Sequence, residues 1–114
     1  MNDLLKKKCL PCEGEVALLD IAEIHKYQKK IDGWDVKQNE KKKYFLEKEF
    51  KLSDFINSQK FVNKVGEVSE IEGHHPDILF GWGYAKIKIT THAIEGLSEN
   101  DFILAAKIDQ ITSV

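Results

Sequence analysis

The apolar residues change period several times along the chain, and each change marks an element. From Leu18 to Ile31 they fall at Leu18, Ile21, Ala22, Ile24 and Tyr27, the spacing of an amphipathic helix. Gly33 ends that helix, and Trp34 opens a short strand that runs through Val36. Asn39, Glu40 and Lys41-Lys42-Lys43 read as a solvated turn. Tyr44, Leu46, Lys48 and Phe50 then alternate with Phe45, Glu47, Glu49 and Lys51, a period of two that predicts a strand with one buried face. Ser53-Asp54 is an N-cap signal for a helix in which Phe55, Val62, Val65 and Val68 or Ser69 share a face, with Phe61 beside it. Gly73 is a suitable stop. Ile78, Phe80 and Trp82 share one parity of the next strand, so Trp82 reads as a packing residue, and Gly81 and Gly83 favour a tight turn around it. Ala85, Ile87 and Ile89 alternate with Lys86, Lys88 and Thr90 in a half-buried strand that extends to Thr91. Ser98 caps a last helix with Ile103, Leu104, Ala105, Ile108 and Ile111 as its apolar side. Asp101 stands at the capping-box position of that helix, a structural role.

The predicted order is α-β-β-α-β-β-α. Short β-β spacings imply hairpins, so the fold class is α+β: two layers, with a four-stranded antiparallel sheet and helices on one face. Residues 1–17 read as a mobile N-terminal arm and 18–114 as a single domain. The uncovered sheet edge predicts a homodimer or homotetramer.

At 114 residues, 42% of them hydrophobic and 32% charged, the chain is long and apolar enough to bury a core. A net charge of -2 attracts neither nucleic acid nor an anionic membrane. All 17 basic residues are lysines, which disfavours bidentate recognition of phosphate or carboxylate. No apolar run suits a membrane span or a signal peptide, so the expected location is the cytoplasm. Cys9 and Cys12 then face a reducing compartment; a single C-x-x-C pair is half a structural zinc site and reads as an unremarkable part of the arm.

The chemistry concentrates in His74, His75 and His92. The first two follow a helix end, and the third follows a strand whose hairpin partner begins just after them. Antiparallel pairing can bring all three imidazoles to one cleft, where they can exchange protons near neutral pH. A three-histidine zinc site is the rival reading, but adjacent histidines seldom ligate one ion with good geometry. His25, among lysines on the first helix, reads as solvated.

The segment Glu70-Ile71-Glu72-Gly73-His74-His75-Pro76 resembles the signature of the pterin-4a-carbinolamine dehydratases: an acidic residue four before His-His-Pro, then an aromatic (Trp82), a histidine preceded by threonine (His92) and an aspartate (Asp101). Gly33-Trp34 and Phe50-Lys51-Leu52-Ser53-Asp54-Phe55 resemble earlier landmarks of the family, and the resemblance covers roughly residues 18–112. It implies a four-stranded antiparallel fold, usually dimeric or tetrameric, and elimination of water from a 4a-hydroxytetrahydropterin to give the quinonoid dihydropterin. It also implies no metal and no cofactor, because the pterin is the substrate and its ring nitrogen supplies the push. His74, His75 and His92 are carried over as the catalytic set, with Glu70 orienting a histidine or supporting its charged form. Which imidazole is acid and which is base stays open. Trp34 is the implied wall of the pterin slot, and backbone groups at Gly73, Thr90, Thr91 and Ala93 the implied partners of the ring's amide-like edge. Gly73 departs from the family, where Asp or Asn is frequent. A related pterin role, as in molybdopterin metabolism, and a dimerisation or binding module without catalysis are the alternative functions.

Overall fold

The computed structural model describes residues 3–10 and 16–111. A 3-10 turn over Asp3–Lys6 is followed by α1 (Ile21–Gln28), β1 (Asp35–Gln38), β2 (Tyr44–Lys51), α2 (Phe55–Glu72), β3 (Asp77–Gly81), β4 (Tyr84–Ile89) and α3 (Glu99–Asp109), with a second 3-10 turn at His92–Ile94. The four strands form one antiparallel sheet in the order β1-β2-β4-β3. Leu46, Ala85, Ile87 and Ile89 on one face are fully buried beneath α2 and α3. The other face bears charge: Asp35, Glu47, Lys88 and Asp77 lie side by side across the four strands. This is the predicted two-layer α+β architecture in the predicted order. No described helix is long and apolar enough to cross a membrane.

Local chemistry sets the element ends. Asp20 accepts from the Glu23 N–H (2.8 Å) while Glu23 accepts from the Asp20 N–H (3.1 Å), a reciprocal cap that starts α1 at Ile21 rather than Leu18. Leu18 and Leu19 precede the helix, and the Leu19 N–H donates to the Leu97 carbonyl. Trp34 likewise precedes its strand, which runs through Gln38. Asp54 caps α2 through the Asn57 N–H, and Gly73 ends it in the left-handed conformation, φ +66°. The buried positions of α2 are Ser58, Phe61, Val65, Ser69 and Glu72. Its inner stripe is thus centred on Phe61, and Phe55, expected on it, is exposed. Ser98 and Asp101 form the expected capping box of α3. That helix is buried from Asn100 through Ala106, because α1, α2 and the N-terminal segment pack on it and its apolar residues share one core with those of the sheet.

Two expectations are corrected. Trp82 is 71% exposed, because β3 stops at Gly81 and the chain reverses through Trp82 and Gly83 (φ +81°) before Tyr84, which breaks the strand parity. Residues 3–10, read as part of a mobile arm, are packed against the domain: Leu4 is fully buried and Cys9 nearly so. Burial, reinforced by the Glu72 carboxylate, pushes the Cys9 thiol up to about 12, so at neutral pH it is an un-ionised, unreactive group. Cys12 lies outside the described residues.

Candidate active site

The histidines gather at one end of the sheet. β3 and β4 pair from Gly81↔Tyr84 to Asp77↔Lys88. Continuing that register two residues further sets His75 opposite Thr90, and three further sets His74 opposite Thr91. The turn between β1 and β2 lies at the same end, where the Thr90 hydroxyl donates to the Tyr44 carbonyl (3.2 Å). The two helix ends that matter also meet here: the C-terminus of α2, which delivers His74 and His75, and the N-terminus of α3, which delivers Asp101.

The three imidazoles occupy different environments. His74 is buried, and its Nε2 lies 2.7 Å from Asp101 Oδ1. The other Asp101 oxygen accepts from the Thr91 hydroxyl (2.7 Å) and the Ser98 N–H (2.8 Å), and Thr91 and Ser98 share a hydroxyl bond (2.8 Å). A carboxylate is acceptor-only, so His74 Nε2 carries the hydrogen toward Asp101. The capping box thus doubles as the orienting partner of an imidazole. That second role of Asp101 was hidden in the sequence by the sufficiency of the first. His75, by contrast, is exposed, and its Nε2 pairs with Glu70 Oε2 one helical turn back. His92 is exposed at the start of the second 3-10 turn.

His92 stands on the rim of a surface depression of about 630 Å³, whose wall includes Tyr44, Phe45, Thr90, Asp77 and Lys88. Lys88 Nζ sits 4.3 Å from the centre of the Phe45 ring. The depression combines an aromatic face, cations, carboxylates and an imidazole, a composition suited to a flat polar heterocycle.

Several implied binding residues are placed differently. Trp34 is 3% exposed; its indole N–H donates to Asp109 (2.9 Å), and its ring meets Phe50 edge-on. It precedes β1, three strand spacings from β3, or about 14 Å. Trp34 is therefore a core residue. Tyr44 and Phe45 are the aromatics that line the depression together with His92. The Gly73 and His74 N–H groups are consumed by the α2 cap, bonding the Glu70 and Ser69 carbonyls. The Thr91 N–H and C=O are both bonded to Gly96, and the Thr90 hydroxyl shares its single hydrogen between the Tyr44 carbonyl and the Gly96 carbonyl (3.0 Å). Ala93 lies exposed in the 3-10 turn beside His92.

The chain is 41% identical to a protein of Rubrobacter xylanophilus that carries the pterin-4-alpha-carbinolamine dehydratase name, over 97% of this chain and all of that one. It is 46% identical to a namesake from Halorhodospira halophila, over 95% of this chain and 96% of that one. Among solved structures, a transcriptional coactivator/pterin dehydratase from Brucella melitensis shares the fold, with TM-score 0.72 at 22% identity over 82% of this chain and 96% of that one. A pterin dehydratase-like protein described as a RuBisCO assembly factor in the alpha-carboxysome superposes with TM-score 0.56 at 27% identity, over 68% of this chain and 86% of that one. The family described as pterin 4 alpha carbinolamine dehydratase matches residues 17–111, and with relatives this similar over nearly its whole length the chain belongs to that family of hydro-lyases.

Proposed function

We propose that the protein dehydrates a 4a-hydroxytetrahydropterin by proton transfer through its histidines. In this reaction the C4a–O bond breaks, the N5–H bond gives up its proton, a C4a=N5 double bond forms and water leaves. One group must protonate the departing hydroxyl and another must receive the N5 proton; the ring nitrogen supplies the electron pair. The observation that carries the reading is the exposed His75–Glu70 pair at the same end of the sheet as His92 and its depression. The His75 imidazole, exposed to solvent and held by Glu70, is placed to deliver a proton to the departing hydroxyl. His92, which has no carboxylate partner among the described residues, suits the receiving role. His74, held by Asp101 inside the protein, orients this end of the site. The reaction draws on the substrate's own electrons, so the proposal includes no cofactor and no metal.

The test is steady-state turnover of a chemically prepared 4a-hydroxytetrahydropterin, followed by quinonoid dihydropterin absorbance. The expected result is a rate above the spontaneous one that survives dialysis against a strong chelator. A rate equal to the spontaneous one overturns the reading and favours a binding role without catalysis. Offering pterins with different side chains in the same assay tests the role in pterin cofactor recycling against one in molybdopterin metabolism.

We further propose a cytoplasmic homodimer or homotetramer. β3 is an edge strand, and Leu79 (58% exposed), Trp82, Phe55 and Ile56 leave apolar surface along it and the adjoining end of α2. Light scattering at micromolar concentration should give a multiple of 13.1 kDa. A monomer mass rules this assembly out.

A further inference from the structure

Residues 3–10 precede the segment that the family pattern covers, which begins at residue 17. They are nonetheless bonded to the two helix ends that deliver His74 and Asp101. The 3-10 turn Asp3–Lys6 packs on α3 and buries Leu4. Beyond it the contacts are polar and directional. The Lys7 ammonium reaches Glu99 (2.7 Å), in the first turn of α3. The Cys9 N–H donates to Glu72 Oε1 (2.9 Å), in the last turn of α2, and the Cys9 thiol faces the Asn100 carbonyl (3.5 Å). The Leu10 N–H donates to Asn100 Oδ1 (2.9 Å), while Asn100 Nδ2 donates to the Leu10 carbonyl (2.7 Å). One side-chain amide thus pairs with both backbone groups of a single residue, as a strand neighbour would.

Asn100 is adjacent to Asp101, and Glu72 lies two residues before His74. Both are buried, so their bonds to the N-terminal segment are sheltered from water and fix geometry more firmly than exposed ones. Lys107 closes the arrangement from the far side by donating to Glu72 Oε2 (2.6 Å). The segment therefore joins the end of α2 to the start of α3 at the point where the His74–Asp101 separation is set. Displacement of a catalytic constellation by about 1 Å can cost about 10²-fold in rate.

We propose that residues 3–10 are a strap that positions the His74–Asp101 pair, and through it this end of the active site. The consequence for turnover rests on the dehydratase reading; the consequence for the His74 ring does not. The strap is a positioning element, since none of its side chains faces the depression beside His92.

The test uses the full-length chain. Leu10→Pro removes one N–H donor at a position whose side chain is 53% exposed, and Leu10→Ala is its reference, because it keeps that N–H. Asn100→Ala removes the partner on α3 and serves as the second variant should Leu10→Pro fail to fold. The readouts are kcat and KM separately, together with the ¹⁵N shifts of the His74 ring in a long-range ¹H–¹⁵N correlation. Relative to Leu10→Ala, Leu10→Pro should lower kcat about 10-fold or more with KM changed less than threefold, and should move the His74 Nε2 resonance. Asn100→Ala should act in the same direction. Unchanged His74 shifts in a folded Leu10→Pro or Asn100→Ala protein overturn the strap. If the parent chain shows no turnover, the dehydratase reading fails by itself, and the nitrogen shifts still decide whether the segment positions His74.

Discussion

His74 and Asp101, 27 residues apart in sequence, meet at 2.7 Å inside the protein, and the same aspartate caps α3 through its other oxygen. One carboxylate therefore ties a helix start, the hydroxyl of Thr91 and an imidazole into a network that is almost wholly shielded from solvent. Such a network is stabilising only while every member is satisfied.

Asp101→Asn tests this directly. An amide has one acceptor oxygen where the carboxylate has two, so one of the His74, Thr91 or Ser98 contacts must lose its acceptor. Leaving one buried donor unpaired costs about 1–3 kcal/mol. For a domain of this size that lowers the Tm by several degrees. Turnover should fall as well, because His74 Nε2 loses the acceptor that holds its ring in place. Thermal unfolding and steady-state kinetics measure the two effects. An unaltered Tm contradicts the buried network.

Glu72 gives a pH dependence with a definite sign. Burial alone would raise its carboxyl, but the Lys107 ammonium and the Cys9 N–H outweigh burial and hold it below the usual carboxylate range. The folded state therefore prefers the ionised form more than the unfolded state does. The resulting stabilisation is present above the unfolded value of about 4.3 and is lost as pH falls through the lower folded value. Glu72→Gln should destabilise the protein near pH 7 by about 1–3 kcal/mol, the cost of a lost buried acceptor and charge partner. The gap between the two proteins should narrow steadily below about pH 4. Denaturant midpoints across pH 3–7 check this, and a gap that stays constant across that range counts against it.

Gly73 predicts a graded response. Its φ of +66° belongs to the left-handed region, and a Cβ added there meets no neighbouring atom within 4 Å. The penalty for substitution is thus conformational and not steric. Gly73→Asn should cost less than about 1 kcal/mol, since Asn visits this region readily. Gly73→Ala should cost about 1–2 kcal/mol and Gly73→Val more. Urea midpoints that rank the three otherwise would show that the α2 cap relaxes into another conformation.

How far the sequence reveals this molecule depends on how local each cause is. The alternations in Tyr44–Lys51 and Tyr84–Ile89 are local, and those strands are where the pattern places them. Capping is local too: Asp54, Gly73 and Ser98 were legible as helix ends, and Asp20-x-x-Glu23 carried the same kind of signal for the start of α1. Lys48 illustrates a mixed case. Its place on the buried face follows from parity, but its tolerance there depends on Asp109 and the Asp32 carbonyl, which its ammonium reaches at 2.8 and 2.6 Å. The full burial of α3, the packing of Leu4 and the removal of Trp34 into the core depend on partners from distant parts of the chain, which periodicity does not encode. The site divides in the same way. The histidine spacing indicated that the three imidazoles share one end of the sheet, and the structure places them there. The pairing of His74 with Asp101, and the place of Phe45 in the same depression as His92, follow from register and helix placement.

The last prediction concerns the division of labour among the histidines. Elimination requires one proton delivered and one removed, so the loss of either carrier should leave an impaired enzyme and not a dead one. His75→Ala should lower turnover about 10²–10⁴-fold, the range for a lost acid–base group. His92→Ala should cost a similar or smaller factor. His74→Ala differs in kind: His74 is 4% exposed and bonded to Asp101, so its loss should lower the Tm as well as the rate. Glu70→Gln should lower turnover by less than His75→Ala does, with little effect on stability, since the pair is exposed. His25, exposed on α1, should be replaceable without effect. The double replacement of His75 and His92 should cost less than the product of the two single losses if they act as one relay. Turnover of 4a-hydroxytetrahydropterin by each purified, folded variant decides the matter. Wild-type rates in both His75→Ala and His92→Ala would show that proton transfer does not run through these imidazoles, even though the chain belongs to a dehydratase family.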